Sequence, residues 1–557
     1  MEVIAFVICA FLLLVVFYGS GYMNEKKTRD KFKSDLIKNY GKRCNKEYKE
    51  GAFSHIAQYA KHHQSRFTLD DITWNDLDMD EIYARMNYAK CSAGEEYLYY
   101  MLKNPHIEDV DWTTFEKQVT FFQKNEKDRQ ALQMALHEMG YTGKYSVYEY
   151  LNSLYQVKKP NMLTEYIPNI LILLSIAVCF VHIGIGLTGV FILIVYNMIR
   201  YFKRKAEIDP YITCFAYVFR LLKQTDTLSK VSTPVIANEM EELMEIKKSF
   251  RKFAKSSYLL MSPKRMSGDM MEVGIDYLRM FFHLDIIKFY SMLDEVKKHT
   301  NEVDAMITII GKIDALLAIG EFRTYIGDFC IPQFEKNAYK AEELYHPLLK
   351  NPVKNNVDVK RSMLITGSNA SGKSTFLKTV AVNAILAQSI HTVCADSYKG
   401  DYFKVYSSIS LRDNIFEGDS YYMAEIKSIK RMIEAKEEGI PVLAFVDEVL
   451  RGTNTIERIA ASSVILKKMA EGTGFCFAAT HDVELTHILE EIYENVHFEE
   501  IIKEGDISFP YRLIKGRATT RNAIKLLELM DYNKELVVQA KQSAERFEEG
   551  GVWEVLA

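Results

Sequence analysis

A chain of 557 residues is too long for one compact core, so two to four domains are expected. Hydrophobic residues at 48% and charged residues at 26% exclude a disordered chain, and a net charge of −4 leaves only a local basic patch to attract nucleic acid. Eight scattered cysteines with no C-x-x-C pair exclude a disulfide scaffold and a zinc site, and they fit a reducing compartment.

Val3 to Tyr18 is an uninterrupted apolar run, extendable to Met23, long enough for one spanning helix of about 17–25 residues. A cleaved signal peptide is the competing reading. Glu2 and the lack of Lys or Arg ahead of the run argue against it. The positive charge follows instead: residues 24–50 hold ten Lys/Arg against five Asp/Glu. By the positive-inside rule, the N-terminus faces out and the rest of the chain faces the cytoplasm. A basic juxtamembrane linker is therefore expected over 24–67, after an anchor over 1–23.

Residues 68–165 carry apolar residues at helical spacing, as do 203–340, and both read as helical core or lever regions. Between them, Ile167 to Ile199 is apolar throughout. One helix over it would be roughly 50 Å long against a hydrocarbon core of about 30 Å. "GIGLTG" (184–189) offers a turn, and basic residues flank both ends. The segment 166–202 thus reads as a hairpin of two short spans, with a buried hairpin in a soluble domain as the alternative. Together with the anchor this gives about three spans and a multi-pass membrane protein. The basic stretch "FRKFAKSSYLLMSPKRM" (250–266) reads as a solvated turn.

After residue 340, short β-rich runs alternate with helical segments: "SMLIT" (362–366), "HTVCA" (391–395), "YFKVYSSIS" (402–410), "VLAFVD" (442–447) and "FCFAAT" (475–480). That alternation predicts an α/β domain over 341–557 with a mostly parallel sheet, and the close-spaced runs near its end predict an antiparallel edge.

"GSNASGKS" (367–374) matches G-x-x-x-x-G-K-[ST], with a strand running in and a helix running out. The loop of Gly367, Ser368, Asn369, Ala370, Ser371 and Gly372, continued by Lys373, Ser374 and Thr375, turns backbone N–H groups and a helix N-terminus toward phosphates. Lys373 is expected to reach the β- and γ-phosphates and Ser374 to coordinate Mg²⁺. Asp447 and Glu448 end an apolar strand about seventy residues later. Beside a P-loop, the first orients the Mg²⁺ shell and the second positions or deprotonates the attacking water. His481, at the end of "FAATHD", is placed to sense the γ-phosphate. ATP with Mg²⁺ is the expected ligand pair.

"TGSNASGKSTFLKTVAVNAILAQ", "GDSYYMAEIKSI", "VDEVLRGTNTIER" and "FAATHDVELT" together resemble the ATPase domain of the MutS DNA mismatch-repair family. "LYHPLL" (344–349) and "FPYRLIKGRATTRNAIKLLE" (509–528) resemble its opening and closing elements. The resemblance implies a P-loop NTPase fold of the ABC/MutS type and a homodimer with composite sites. It also implies that Ser420 meets the γ-phosphate on the partner's P-loop in trans, and that Tyr511 stacks near the adenine. Before residue 68 only an anchor and a basic linker are present, so a membrane-anchored variant without a mismatch-reading domain is expected. An ABC transporter fits poorly, since no LSGGQ-like signature occurs. Two partners stay open at this point: DNA, and a membrane lipid or protein target acted on mechanically.

Overall fold

The computed structural model describes all residues except 1–22, 25, 144, 155, 156, 158, 159, 232, 251–276, 369, 370, 410–420, 452, 504, 505, 519–522, 531, 552, 554, 556 and 557. The N-terminal anchor, most of the 250–266 stretch, Asn369, Ala370 and Ser420 thus lie outside the described residues. The chain forms two compact units: residues 1–63, 86–100 and 113–325, and residues 64–85, 101–112 and 326–557. This division differs from the one read in the sequence. Residues 64–85 and 101–112 belong to the α/β unit, which begins at Ile326 rather than 341. Polar anchors hold them there: Asp76 accepts the Ser407 hydroxyl and the Ile409 N–H, both at 2.8 Å. Gln388 donates to the His106 carbonyl at 2.7 Å. Helical periodicity alone does not say which partner a helix covers.

The first unit is helical. Helix α1 (Leu163–Cys179) and helix α2 (Ile183–Lys230) form an antiparallel hairpin, and α2 continues for 48 residues, about 72 Å. Its second half buries Phe215, Val218, Leu221, Leu222 and Leu228. Helix α3 (Leu284–Lys298) and helix α4 (Thr300–Ile326) add further apolar faces.

The hairpin turns at Phe180–His182, not at the glycine-rich "GIGLTG", whose three glycines lie inside the first turns of α2. Helix–helix contact explains the shift. A Cβ on Gly186 would come within 2.4 Å of Cys179 Sγ, and one on Gly189 within 2.6 Å of Ser175 Oγ. The glycines let the two legs approach closely, as small residues do between membrane helices. Of the described helices, Ile183–Ile208 is the one stretch long and apolar enough to cross a bilayer. Only 11% of its apolar window is buried. The partner leg α1 is apolar but shorter. Three well-formed spans are thus not seen among the described residues.

The hairpin's polar residues gather at its base. Glu165 accepts from Arg200 (2.8 Å) and lies 2.7 Å from His283 Nδ1. Asn197 donates to Asn169 and to the Phe281 carbonyl. Lys205 pairs with Asp285 at 2.9 Å. Several cations that the sequence offers as inside-facing charge are therefore tied into internal pairs.

The second unit is built on strands β1 (Gln333–Phe334), β2 (Tyr339–Leu344), β3 (Asn355–Asp358), β4 (Met363–Thr366), β5 (Ser397–Gly400), β6 (Lys404–Ser408), β7 (Val442–Asp447), β8 (Gly474–Ala479), β9 (Glu494–Phe498), β10 (Ile501–Lys503), β11 (Asp506–Ser508) and β12 (Leu513–Lys515). Six of them form the main sheet in the order β12-β9-β4-β8-β7-β6, parallel except for the antiparallel edge strand β12. A smaller sheet runs β1-β5-β2-β3, and β10 pairs with β11. "HTVCA" does not form a strand. It makes a single bridge, Val393 to Cys330. Helix α5 (Lys373–Ile390) follows β4, helix α6 (Tyr421–Glu437) precedes β7, and helix α7 (Thr455–Ala470) follows it. Every residue of β4 and β7 is buried, as expected for central parallel strands covered on both faces.

Candidate functional site

Register sets the site. Asp447 is level with Ala479 across β7 and β8, and Ile365 is level with the same Ala479 across β4 and β8. The Glu448 N–H bonds the Ala479 carbonyl at 2.9 Å, and the Thr480 N–H bonds the Ile365 carbonyl at 3.0 Å. Three loops consequently leave the carboxyl ends of three adjacent strands at one level, the usual ligand edge of such sheets.

The loop after β4 is shaped by two glycines. Gly367 (φ 143°) leaves no room for a side chain, since a Cβ would meet the Phe498 carbonyl oxygen at 2.7 Å. Gly372 (φ 103°) caps α5 in a conformation costly for any other residue. Ser371 is buried and closes the turn by donating its N–H and its hydroxyl to the Ser368 carbonyl. The Ser368 hydroxyl donates to Glu500 at 2.9 Å. The first N–H groups of α5 have no intrahelical acceptor and open onto this loop, while Thr375 sits exposed in the first turn.

Lys373 Nζ donates to the Gly367 and Ser368 carbonyls at 2.7 and 2.9 Å. Burial holds its pKa below the usual lysine range, against the opposing pull of Asp447 and Glu448. The Ser374 hydroxyl donates to Asp447 Oδ2. A hydroxyl and a carboxylate in contact at a strand end are hard oxygen donors. They suit a Mg²⁺ that takes its remaining ligands from water and phosphate. No cluster of three or more His, Cys, Asp or Glu capable of holding a metal alone occurs among the described residues.

His481 Nε2 stands between Lys373 Nζ (3.2 Å) and Glu448 Oε1 (3.0 Å). One ring nitrogen serves both only by changing tautomer: it accepts from the ammonium or donates to the carboxylate. Glu448 Oε2 meets Arg451 Nε at 2.5 Å. The hydrogen bond from His481, then the Arg451 and Lys373 charges, hold the Glu448 carboxyl below its ordinary range against burial. The carboxylate is thus ionised at neutral pH, as a base must be.

Tyr511 also reaches the loop. A Cβ on Gly372 would lie 3.0 Å from the Tyr511 ring, and Asn355 holds the Tyr511 carbonyl at 3.0 Å. The ring is 44% exposed, which leaves a face for a base to stack on.

The structure brings together Gly367, Ser368, Ser371, Gly372, Lys373, Ser374, Asp447, Glu448, His481 and Tyr511 at one edge. Sequence reading missed Arg451, although it stands inside the quoted "VDEVLRG". It also missed Asn355, which carries no local signal, and the clamp of Arg458 on Asp482 (2.6 and 2.9 Å) that fixes α7 beside His481.

Comparison with known proteins places this edge in a family context. Residues 363–548 match MutS domain V. The chain is 28% identical over 312 residues to MutS protein homolog 4 of Homo sapiens, covering 52% of this chain and 33% of that protein. It is 29% identical over 266 residues to the DNA mismatch repair protein MutS of an Exiguobacterium species, covering 45% and 31%. Against the MutS of Thermus thermophilus it is 28% identical over 260 residues. The matched region spans about a third of the length of these relatives.

Proposed function

We propose, from the premise that this chain belongs to the MutS family through its domain V, that it is an ATP hydrolase working as a homodimer with composite sites. One observation carries the reading: the phosphate loop, the Ser374–Asp447 contact and the Lys373–His481–Glu448 series converge at one sheet edge. In use, Lys373 leaves the loop carbonyls for the β- and γ-phosphates, and Ser374 with Asp447 holds Mg²⁺. Bound there, the ion would neutralise phosphate charge as it develops. Glu448 orients and deprotonates the attacking water, and His481 relays contact with the γ-phosphate. Tyr511 covers the base, and Ser420 of a second copy completes the site. Closure and release of the two ATPase units drive motion of the helical unit.

We further propose that the hairpin 166–202 lies in a lipid bilayer, next to an anchor at 1–23. Its support is the exposed apolar surface: Phe180, Val181, Ile183, Ile185 and Phe191 are each two-thirds or more exposed. Monomers in water rarely leave so large an apolar surface uncovered. This gives a membrane-bound ATPase with its nucleotide unit in the cytoplasm. DNA as its substrate rests on the mismatch-repair role of its relatives; a membrane or protein target worked on without DNA rests on the hairpin.

ATP turnover by the full chain, with and without duplex DNA at low salt where phosphate contacts are strongest, separates the two. DNA-stimulated turnover supports the first target. Turnover indifferent to DNA, with no DNA binding, supports the second. Absence of Mg²⁺-dependent turnover refutes the ATPase reading.

A further inference from the structure

Glu425 is a buried carboxylate with no task in the scheme above. It lies on α6 and shares a face with Ile429 and Met432, four and seven residues on, both in the apolar core. The residue is 2% exposed. Its Oε1 accepts the Leu450 N–H at 2.5 Å, and the carboxyl also takes the Arg451 N–H. Its Oε2 is buried without a hydrogen-bond partner. Burying an acid on an apolar stripe is costly unless the amides it holds must be held.

Those amides belong to the turn that carries Glu448. Glu448 (φ 61°) and Leu450 (φ 58°) are both non-glycine residues in the left-handed region, so the turn is strained and needs outside support to persist. Val449 and Leu450 pack into the same cluster as Ile429 and Met432, which binds the turn to α6 by its apolar side chains as well. From the other side, Glu448 is engaged by Arg451 and His481. Both carboxylate oxygens are thus already engaged, so their aim depends on the turn that carries them.

We propose that Glu425 is a positioning residue: it hangs the Glu448 turn on α6, so a displacement of α6 re-aims the hydrolytic carboxylate. The proposal rests on the reading that Glu448 activates water. It adds the link by which a neighbour's approach reaches that group, because α6 starts at Tyr421, the residue after Ser420. Glu425 stands about 6 Å along the helix from its start. A pull at that end moves Glu425, and the Leu450 and Arg451 amides move with it. Burial raises the Glu425 pKa, consistent with a group whose acceptor oxygen matters more than its charge.

The test is steady-state ATP hydrolysis by the full chain, alongside equilibrium binding of a fluorescent ATP analogue, in four variants. Glu425→Ala removes the acceptor, Glu425→Asp shortens its reach, Glu425→Gln keeps the acceptor without charge, and Ile429→Ala loosens α6 packing. Expected is a kcat loss of at least tenfold for Glu425→Ala with nucleotide affinity within twofold. Glu425→Gln should exceed Glu425→Asp in rate despite losing the charge. Ile429→Ala, which loosens the same attachment, should lower stability and also lower kcat, the latter by less than Glu425→Ala. If the Ala variant does not fold, the order of Gln over Asp carries the test. Equal rates for all Glu425 variants, or loss of rate and affinity in parallel, overturn the positioning role. A wild-type chain that binds ATP without hydrolysing it overturns the ATPase reading instead, a result visible before any variant is made.

Discussion

Strand β7 and the hairpin of α1 and α2 are both apolar runs, yet they are built in opposite senses. In β7 all six residues are buried, and polarity appears only at its last residue, Asp447, and at the Glu448 that follows, where both meet the ligand edge. In the hairpin most apolar side chains face outward, while the polar Glu165 and Asn197, with His283 against them, are buried, each about 1% exposed. The first arrangement solves the problem of apolar residues in water by covering them with helices. The second makes sense with hydrocarbon outside, where exposed apolar residues cost nothing and polar ones act as glue. The difference teaches that hydropathy sets what a segment avoids, and that its surroundings decide which face it hides.

That contrast can be broken by one substitution in each region. Phe445→Ala removes a fully buried ring stacked on Phe477 at 5.3 Å and should cost about 3–5 kcal/mol in the denaturant unfolding of the second unit. Phe191→Ala, at a ring 69% exposed, should change unfolding in detergent by less than about 0.5 kcal/mol. A large cost at Phe191 would mean that protein, not lipid, covers the hairpin.

Val181→Asp puts a charge at the hairpin tip, where the native side chain is 81% exposed. In a chain shortened to begin at residue 24, flotation with vesicles should weaken, by less than the roughly 2.5–3.5 kcal/mol that a charge costs at the centre of a span. Unchanged flotation would remove the tip from the bilayer.

A pH-dependent effect belongs to the nucleotide unit alone. Burial, then the Lys378 charge, lowers the His346 pKa from 6.5 to about 4, against a smaller opposite pull from Asp78. The folded ring stays neutral while the unfolded ring takes a proton below 6.5. Stability from this group is therefore complete above that pH and is lost as pH falls toward 4, by at most about 1.4 kcal/mol per pH unit. His346→Gln should flatten the thermal midpoint of the second unit between pH 6.5 and 4. An equal slope in the variant would refute the assignment.

Much of the nucleotide edge was legible because each of its loops is local. Gly367 to Ser374, Asp447–Glu448 and Thr480–His481 each end a strand written in a few consecutive apolar residues, and parallel register does the rest. What sequence could not supply was long-range. Asn355 supports Tyr511 from 156 residues away, and residues 64–85 join a sheet whose strand β6 begins more than 300 residues later. The hairpin turn was misplaced for a related reason: glycine permits a turn, but it also permits close helix contact, and only the neighbouring leg decides between them. Glu425 stands inside the quoted "GDSYYMAEIKSI", although its meaning depended on the turn it supports.

The most direct measurement is the mass in solution of the Glu448→Gln chain, in detergent, with and without Mg²⁺ and ATP. A composite site predicts a monomer that becomes a stable dimer on ATP binding and returns to monomer when nucleotide is removed. A wild-type chain that hydrolyses ATP while both it and the variant remain monomeric throughout would contradict it.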